Sequence, residues 1–335
     1  MISAPSSEEH PAILADWLEL QAVISDTAQS RILSLADIID ITQDSEAVDV
    51  ADFDAGSDAI VGRVTSELLA RKQHLQEAYP FTVDEGGRLL SLGSWNRLGS
   101  KVYLACLFMS HVTKSPLLGN FDLASNAQAG RDVFQICSTL AASGWCHGPA
   151  ISFGWPRLDQ SNFATKLAET YRLFGDGTPR AQPLASAPKH IKDGGIDVVS
   201  WRPTSDGLAG TYYLLGQVAS GHNWPDKSVL NDINHFHWAW FEVAPASAAT
   251  GAMFVPFCIT ELEEREGFEE QEVLASKMQS LTKQFGVFLY RYRLPLSADR
   301  AAQLSEQGIT PIEGLDHVTR IETWITDFIA TLKAS

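Results

Sequence analysis

The chain has 335 residues, 45% of them hydrophobic, and a formal net charge of −16. That apolar content can build a sizeable core, in two domains or one large α/β unit, and it excludes wholesale disorder. The acidic balance argues against a free-standing protein that tracks nucleic acid along its phosphates, unless a local groove or a partner supplies basic surface.

In chain order, residues 1–60 carry two short helical patterns, ILADWLELQAVISD and ILSLADII, followed by an acidic link, DSEAVDVADFDAGSD. IVGRVTSELLARKQHLQEAY sets Val61, Val64, Leu68 and Leu75 on one face and predicts a surface helix ending before Pro80. Residues 96–113 are apolar on all sides, as in a buried helix, and AGRDVFQICSTLAASG predicts another. GPAISFGWPR reads as a loop with a short strand stopped at Pro156. NFATKLAETYRLFG reads as a helix with Phe163, Leu167 and Tyr171 on one face and Gly175 just past its end. Strands are expected at GIDVVSW and TYYLLGQVAS, joined by a turn near Ser205 to Gly207. A helix over 227–241, a strand over 252–259, a helix over 270–285, a strand over 286–294 and a closing helix over 317–332 complete the chain. The order predicts a mixed α/β core with helices on both faces, residues 146–335, behind a mainly helical region, residues 1–145.

No apolar stretch is long enough to span a bilayer, and MISAPSSEEH has no basic segment followed by an apolar one, so a cytoplasmic protein is expected. Cys106, Cys137, Cys146 and Cys258 form no CxxC pair and sit among apolar neighbours, as buried thiols in a reducing compartment do.

Two residues interrupt the apolar strands. Asp197 in GGIDVVSW is unfavourable in a buried sheet unless it is hydrogen-bonded or holds a metal, and Gln217 in YYLLGQVAS needs partners for its amide. A carboxylate and an amide oxygen converging at a strand edge suit Mg²⁺, which takes oxygen ligands and keeps several waters. Such an ion screens a scissile phosphate and activates a water. Lys189, Lys192 and Lys227 are the nearby lysines that could complete the site. His235 and His237, flanked by Trp238 and Trp240, read as aromatic packing, because on a helix an HxH pair diverges. No GxxxxGK[ST] motif is present, so no intrinsic nucleotide-hydrolysing motor is indicated.

GGIDVVSW and YLLGQVASGHNWPDK together resemble the core of the PD-(D/E)XK, restriction-endonuclease-like nucleases, in particular the Mrr-like branch. There a GxD motif on one strand is followed by Q-x-K or E-x-K on the next. The resemblance covers about residues 150–260 and implies a restriction-endonuclease-like αβββαβ core. It also implies a Mg²⁺- or Mn²⁺-dependent DNA endonuclease acting as an effector subunit in bacterial anti-phage defence. Asp197 matches the first aspartate, Gln217 the second-strand ligand, and Glu169 the glutamate on the preceding helix, so these three are the expected metal ligands. The chain departs from the pattern at Ala219, where the motif lysine belongs. Lys227 is the expected replacement and Lys192 the second choice. The implied partners are DNA, a separate sensor or ATPase subunit, and further copies of the chain. A nuclease fold that has lost catalysis and serves as a nucleic-acid-binding or assembly subunit is the alternative.

Overall fold

A computed structural model of the chain describes residues 2–3, 5–6, 9–25, 50–84, 89–112, 115, 117–155, 157, 159–182, 184, 194–259 and 269–334. The ILSLADII pattern, Lys189, Lys192 and most of the acidic run ELEEREGFEEQE lie outside them.

The N-terminal region is helical: α1 (Pro11–Ile24), α2 (Val50–Leu75), α3 (Leu98–His111) and α4 (Ala124–Cys146), with a small hairpin of β1 (Phe81–Val83) and β2 (Leu90–Leu92). α2 begins inside the acidic stretch that reads as a link. After α4 comes a five-stranded sheet in the order β3-β5-β6-β8-β9, formed by β3 (Ala150–Ser152), β5 (Val198–Trp201), β6 (Tyr213–Val218), β8 (Ala249–Phe254) and β9 (Val287–Leu289). β3, β5 and β6 run antiparallel, and β8 and β9 continue the sheet parallel to β6. This is an α/β fold: a central mixed sheet flanked by helices and preceded by a helical region.

Helices cover both faces. Leu214, Ala252, Phe254 and Leu289 point into the large core formed with α3, α4, α8 (Leu294–Glu306) and α9 (Val318–Ala334). On the other face, Val199, Tyr213 and Leu215 pack with α5 (Phe163–Phe174) and α6 (Ile233–Trp240), while Met253 and Phe288 pack with α7 (Glu270–Phe285). The large core includes residues from Ile2 to Leu332 and runs across position 145, so the N-terminal and C-terminal helices share it.

Local chemistry explains several boundaries. The Asn162 side chain accepts the Thr165 N–H at 2.9 Å and starts α5, and Gly175, at φ +76°, ends it. Glu269 and Glu272 form a capping box on α7. The strand expected over 286–294 stops at Leu289, and α8 begins at Leu294 with Pro295 in its first turn. The helix expected from 227 begins only at Ile233, after two short 3₁₀ turns. The short pairing of β4 (Thr178–Pro179) with β7 (Phe241–Val243) carries no signal in the sequence.

α4 and α8 approach closely at Gly144, where a Cβ would lie 1.7 Å from the Ser297 carbonyl oxygen. Alanine normally gains about 1 kcal/mol over glycine within a helix. Here the obstacle is backbone, so the overlap prevails. Gly144→Ala is expected to cost about 1–3 kcal/mol, as overpacked cores do, and to lower the midpoint of thermal unfolding.

Candidate functional site

The site grows from the way the chain enters β5. Gly194 (φ +68°) and Gly195 (φ +85°) occupy left-handed conformations that side chains resist, and they swing the backbone into the sheet just before Asp197. Asp197 then ties three strands together. Its N–H donates to the Gly216 carbonyl at 2.8 Å, and its own carbonyl accepts from the N–H groups of Phe153 (2.7 Å) and Gly154 (3.1 Å). Its carboxylate Oδ2 accepts the Val218 N–H at 2.8 Å. From α4, the Gln135 side-chain amide donates to the Asp197 carbonyl at 2.9 Å and to the Ser152 hydroxyl at 3.0 Å. The aspartate that looks misplaced in an apolar run is therefore fixed where the first three strands of the sheet meet.

Asp197 opens onto a cleft of about 380 Å³. One wall is a polar stripe on α4, Gln128, Arg131, Asp132 and Gln135, which share a helical face at spacings of three and four. Gly154 and Trp155 follow from the exit of β3. Val218, Ser220, Gly221, Asn223 and Lys227 close the cleft from the connection after β6. Arg131 donates to Gln128 at 2.8 Å, and Asp132 faces Arg320 at 3.7 Å. Trp155 is 55% exposed, and the guanidinium of buried Arg157 lies 5.1 Å from its ring centre.

Of the four residues expected from sequence, the fold brings Asp197 and Lys227 into this cleft and leaves out Gln217 and Glu169. Gln217 pairs in register with Met253, whose side chain packs towards α7, whereas its neighbours Val218 and Phe254 turn towards the large core with α4. Strand alternation thus sets Gln217 on the sheet face away from α4. Glu169 is exposed on α5, an element inserted between β3 and β5, and does not line the cleft. The helix preceding the three antiparallel strands is α4, and the carboxylate it brings to the cleft is Asp132.

The Gln217 Oε1 atom is buried with no hydrogen-bond partner. An unsatisfied buried acceptor costs about 1–3 kcal/mol. Gln217→Leu is therefore expected to leave stability unchanged or raise it, and to leave any cleavage activity of the cleft intact. Thermal unfolding and cleavage assays on the same preparation check both parts.

The aromatic and histidine side chains that follow β6 take part in packing. Trp224 lies against Phe285 and Phe288, with ring centres 5.5 and 5.3 Å away. His222 tilts on Phe257 at 5.0 Å. His235 and His237 diverge on α6, one beside Trp238 and the other stacked on Tyr213. Burial pushes the His237 imidazole below its ordinary pKa, which favours the neutral ring.

Among the described residues, no group of three or more His, Cys, Asp or Glu side chains is close enough to hold a metal ion by itself. The cleft offers two carboxylates, Asp197 and Asp132, with amide oxygens nearby. That all-oxygen set suits Mg²⁺, which is commonly held by one or two carboxylates with waters and substrate phosphate completing its shell. No helix among the described residues is long and apolar enough to cross a membrane. Neither the known protein families, nor curated proteins, nor solved structures offer a match to this chain.

Proposed function

We propose that the cleft at Asp197 is the active site of a divalent-metal-dependent nuclease that hydrolyses phosphodiester bonds in DNA. The observation that carries this reading is the convergence of Asp197, Asp132 and Lys227 on one cleft at the junction of β3, β5 and β6. With α5 and β4 set aside as an insertion between β3 and β5, and β7 before β8, the order α4-β3-β5-β6-α6-β8 is compatible with the αβββαβ core that the PD-(D/E)XK resemblance implies. In this assignment Asp132 takes the role expected of Glu169.

Asp197 and Asp132 are the residues that would hold Mg²⁺ or Mn²⁺. When bound, the ion supplies Lewis acidity at the scissile phosphate. Lys227 and Arg131 bring positive charge to the phosphate and to the charge that develops as the bond breaks. Trp155, held against Arg157, walls the cleft and offers its ring to a base. With a chain charge of −16, the reading includes a protein partner that supplies basic surface, in keeping with an effector subunit of an anti-phage system.

A second reading has its own support. Gln217 turns away from the cleft, position 219 is a buried alanine, and the Asp197 carboxylate already serves as a strand clamp. These features fit a nuclease fold retained as a nucleic-acid-binding or assembly subunit.

Incubation of the full chain with supercoiled and linear DNA, in Mg²⁺ or Mn²⁺ and in chelator, separates the two. Metal-dependent nicking or linearisation is the expected result. Intact DNA in every condition, including after addition of candidate partner proteins, favours the binding subunit.

A further inference from the structure

A second cavity, of about 160 Å³, shares no lining residue with the Asp197 cleft and lies across the 219–227 connection from it. Its wall is largely apolar, with Ile13, Val255, Phe257, Leu281 and Phe288. At one side three polar residues stand in a line. Asp16 Oδ2 is 2.7 Å from His111 Nε2, and His111 Nδ1 is 2.8 Å from the Ser115 hydroxyl. Asp16 comes from α1, His111 is the last residue of α3, and Ser115 lies four residues further along the chain. Asp16 and His111 are buried, and Ser115 is half-buried at the cavity wall.

The two oxygens of Asp16 have separate partners, and only Oδ2 meets His111. Asp16 Oδ1 already receives Arg71 at 2.7 Å and Arg291 at 2.6 Å. Burial pushes the Asp16 carboxyl up, but Arg291, Arg71 and His111 together overcome that and hold it ionised, well below the usual carboxylate range. What His111 adds is a link from this fixed carboxylate to a hydroxyl on a cavity. A nucleophile and a base at hydrogen-bond distance, with the base oriented by a third group, make up the acyl-transfer arrangement, which is recognised by geometry rather than by sequence order.

We propose that Ser115, His111 and Asp16 form a hydrolytic triad that cleaves carboxylic esters bearing a small apolar acyl group. The Ser115 oxygen bonds to the ester carbonyl carbon while His111 Nδ1 takes its proton. The carbon–oxygen bond to the alcohol breaks, and His111 returns the proton to the departing alcohol. Water then attacks the acyl-serine, giving one proton to His111, which passes it to the Ser115 oxygen as the carboxylic acid leaves. Asp16 accepts the Nε2–H throughout and stabilises the charged imidazole. Lys277, on the same cavity wall, supplies positive charge for the carbonyl oxygen as it becomes anionic. The apolar wall receives the acyl group.

The test is reaction of the full chain with a fluorophosphonate probe, with the adduct located by peptide mass spectrometry, alongside hydrolysis of p-nitrophenyl acetate and butyrate. Phosphonylation of Ser115 is expected. Ser115→Ala removes a half-buried hydroxyl and the hydrogen bond it accepts from the Leu117 N–H at 3.1 Å, a local change that should keep the fold, as circular dichroism can check. It should lose the adduct and at least about 10²-fold of the ester turnover. His111→Gln should react at least about tenfold more slowly if it folds. An unlabelled wild type, an adduct at another residue, or equal turnover by wild type and Ser115→Ala overturns the proposal.

Discussion

Asp197→Asn is expected to abolish metal-dependent DNA cleavage while leaving the fold in place, and Asp197→Ala is expected to damage both. The difference follows from the two tasks of this side chain. Its Oδ2 accepts the Val218 N–H at 2.8 Å. An asparagine carbonyl can accept that bond in the same position, so the clamp between β5 and β6 survives. Alanine leaves the half-buried Val218 N–H without this partner, at a cost of about 1 kcal/mol. Neither replacement carries the charge that a divalent cation needs. Residues that merely support a metal ligand are each worth about 10–100-fold in affinity or activity, so loss of a ligand should cost at least about 10²-fold in cleavage. Rates on supercoiled DNA, with thermal unfolding of both variants, check the prediction. An Asn variant as active as wild type would leave Asp197 a purely structural residue and place the metal site elsewhere.

Arg71→Met is expected to be the most damaging substitution for stability. Arg71 is fully buried and serves three carboxylates: Asp16 at 2.7 Å, Glu19 at 2.9 Å and Glu67 at 2.8 Å. It also donates to the Ala12 carbonyl at 2.8 Å. Arg291 shares the load at Asp16, while Tyr79 and Tyr103 donate to Glu19. Removing one partner of a buried ion pair costs about 3–5 kcal/mol, because a charge is left uncompensated in a poor solvent.

The pH dependence of that loss has a definite sign. In the wild type, burial raises the Glu19 carboxyl and the neighbouring Asp16 charge adds to this, against the pull of Arg71. Without Arg71 the main force holding the Glu19 proton off is gone, so Glu19 takes up a proton more readily in the folded state than in the unfolded one. A folded-state pKa above the unfolded value, about 4.3 for a glutamate, gives stability that is present at low pH and lost as pH rises through the folded value. The deficit of Arg71→Met should therefore be smaller at pH 5 than at pH 7.5, as urea unfolding at the two pH values would show. An equal or larger deficit at pH 5 would mean that the lost packing of the long side chain, rather than unpaired charge, sets the cost.

The parts of this molecule that are legible in the sequence are those with a period or a cap. The face of Phe163, Leu167 and Tyr171, with Gly175 behind it, defines α5 almost to the residue, and the glycines and apolar run around Asp197 mark a strand entered through a tight turn. Side-chain direction on β6 is another matter. Tyr213, Leu214 and Leu215 are all buried because helices cover both faces of the sheet, so no polar alternation tells which way Gln217 points. Only the register with Met253 decides it.

Glu169 lies outside the cleft for a related reason: the helix next before β5 in the chain is α5, but the helix that packs beside Asp197 is α4. A usable signal did exist there. Gln128, Arg131, Asp132 and Gln135 form a polar stripe at helical spacing opposite the buried Ala127, Val133 and Phe134. The alignment of Asp16, His111 and Ser115 carries no such signal, since 95 residues separate the first two and only side-chain hydrogen bonds between α1 and α3 join them.

Calorimetric titration of Mn²⁺ into the wild-type protein and Asp197→Asn tests the assignment of the cleft most directly, because it needs neither the right DNA nor a partner. Saturable binding of one ion per chain to the wild type, lost in the variant, is the predicted result. An absence of binding to the wild type, or equal binding to both proteins, would contradict it.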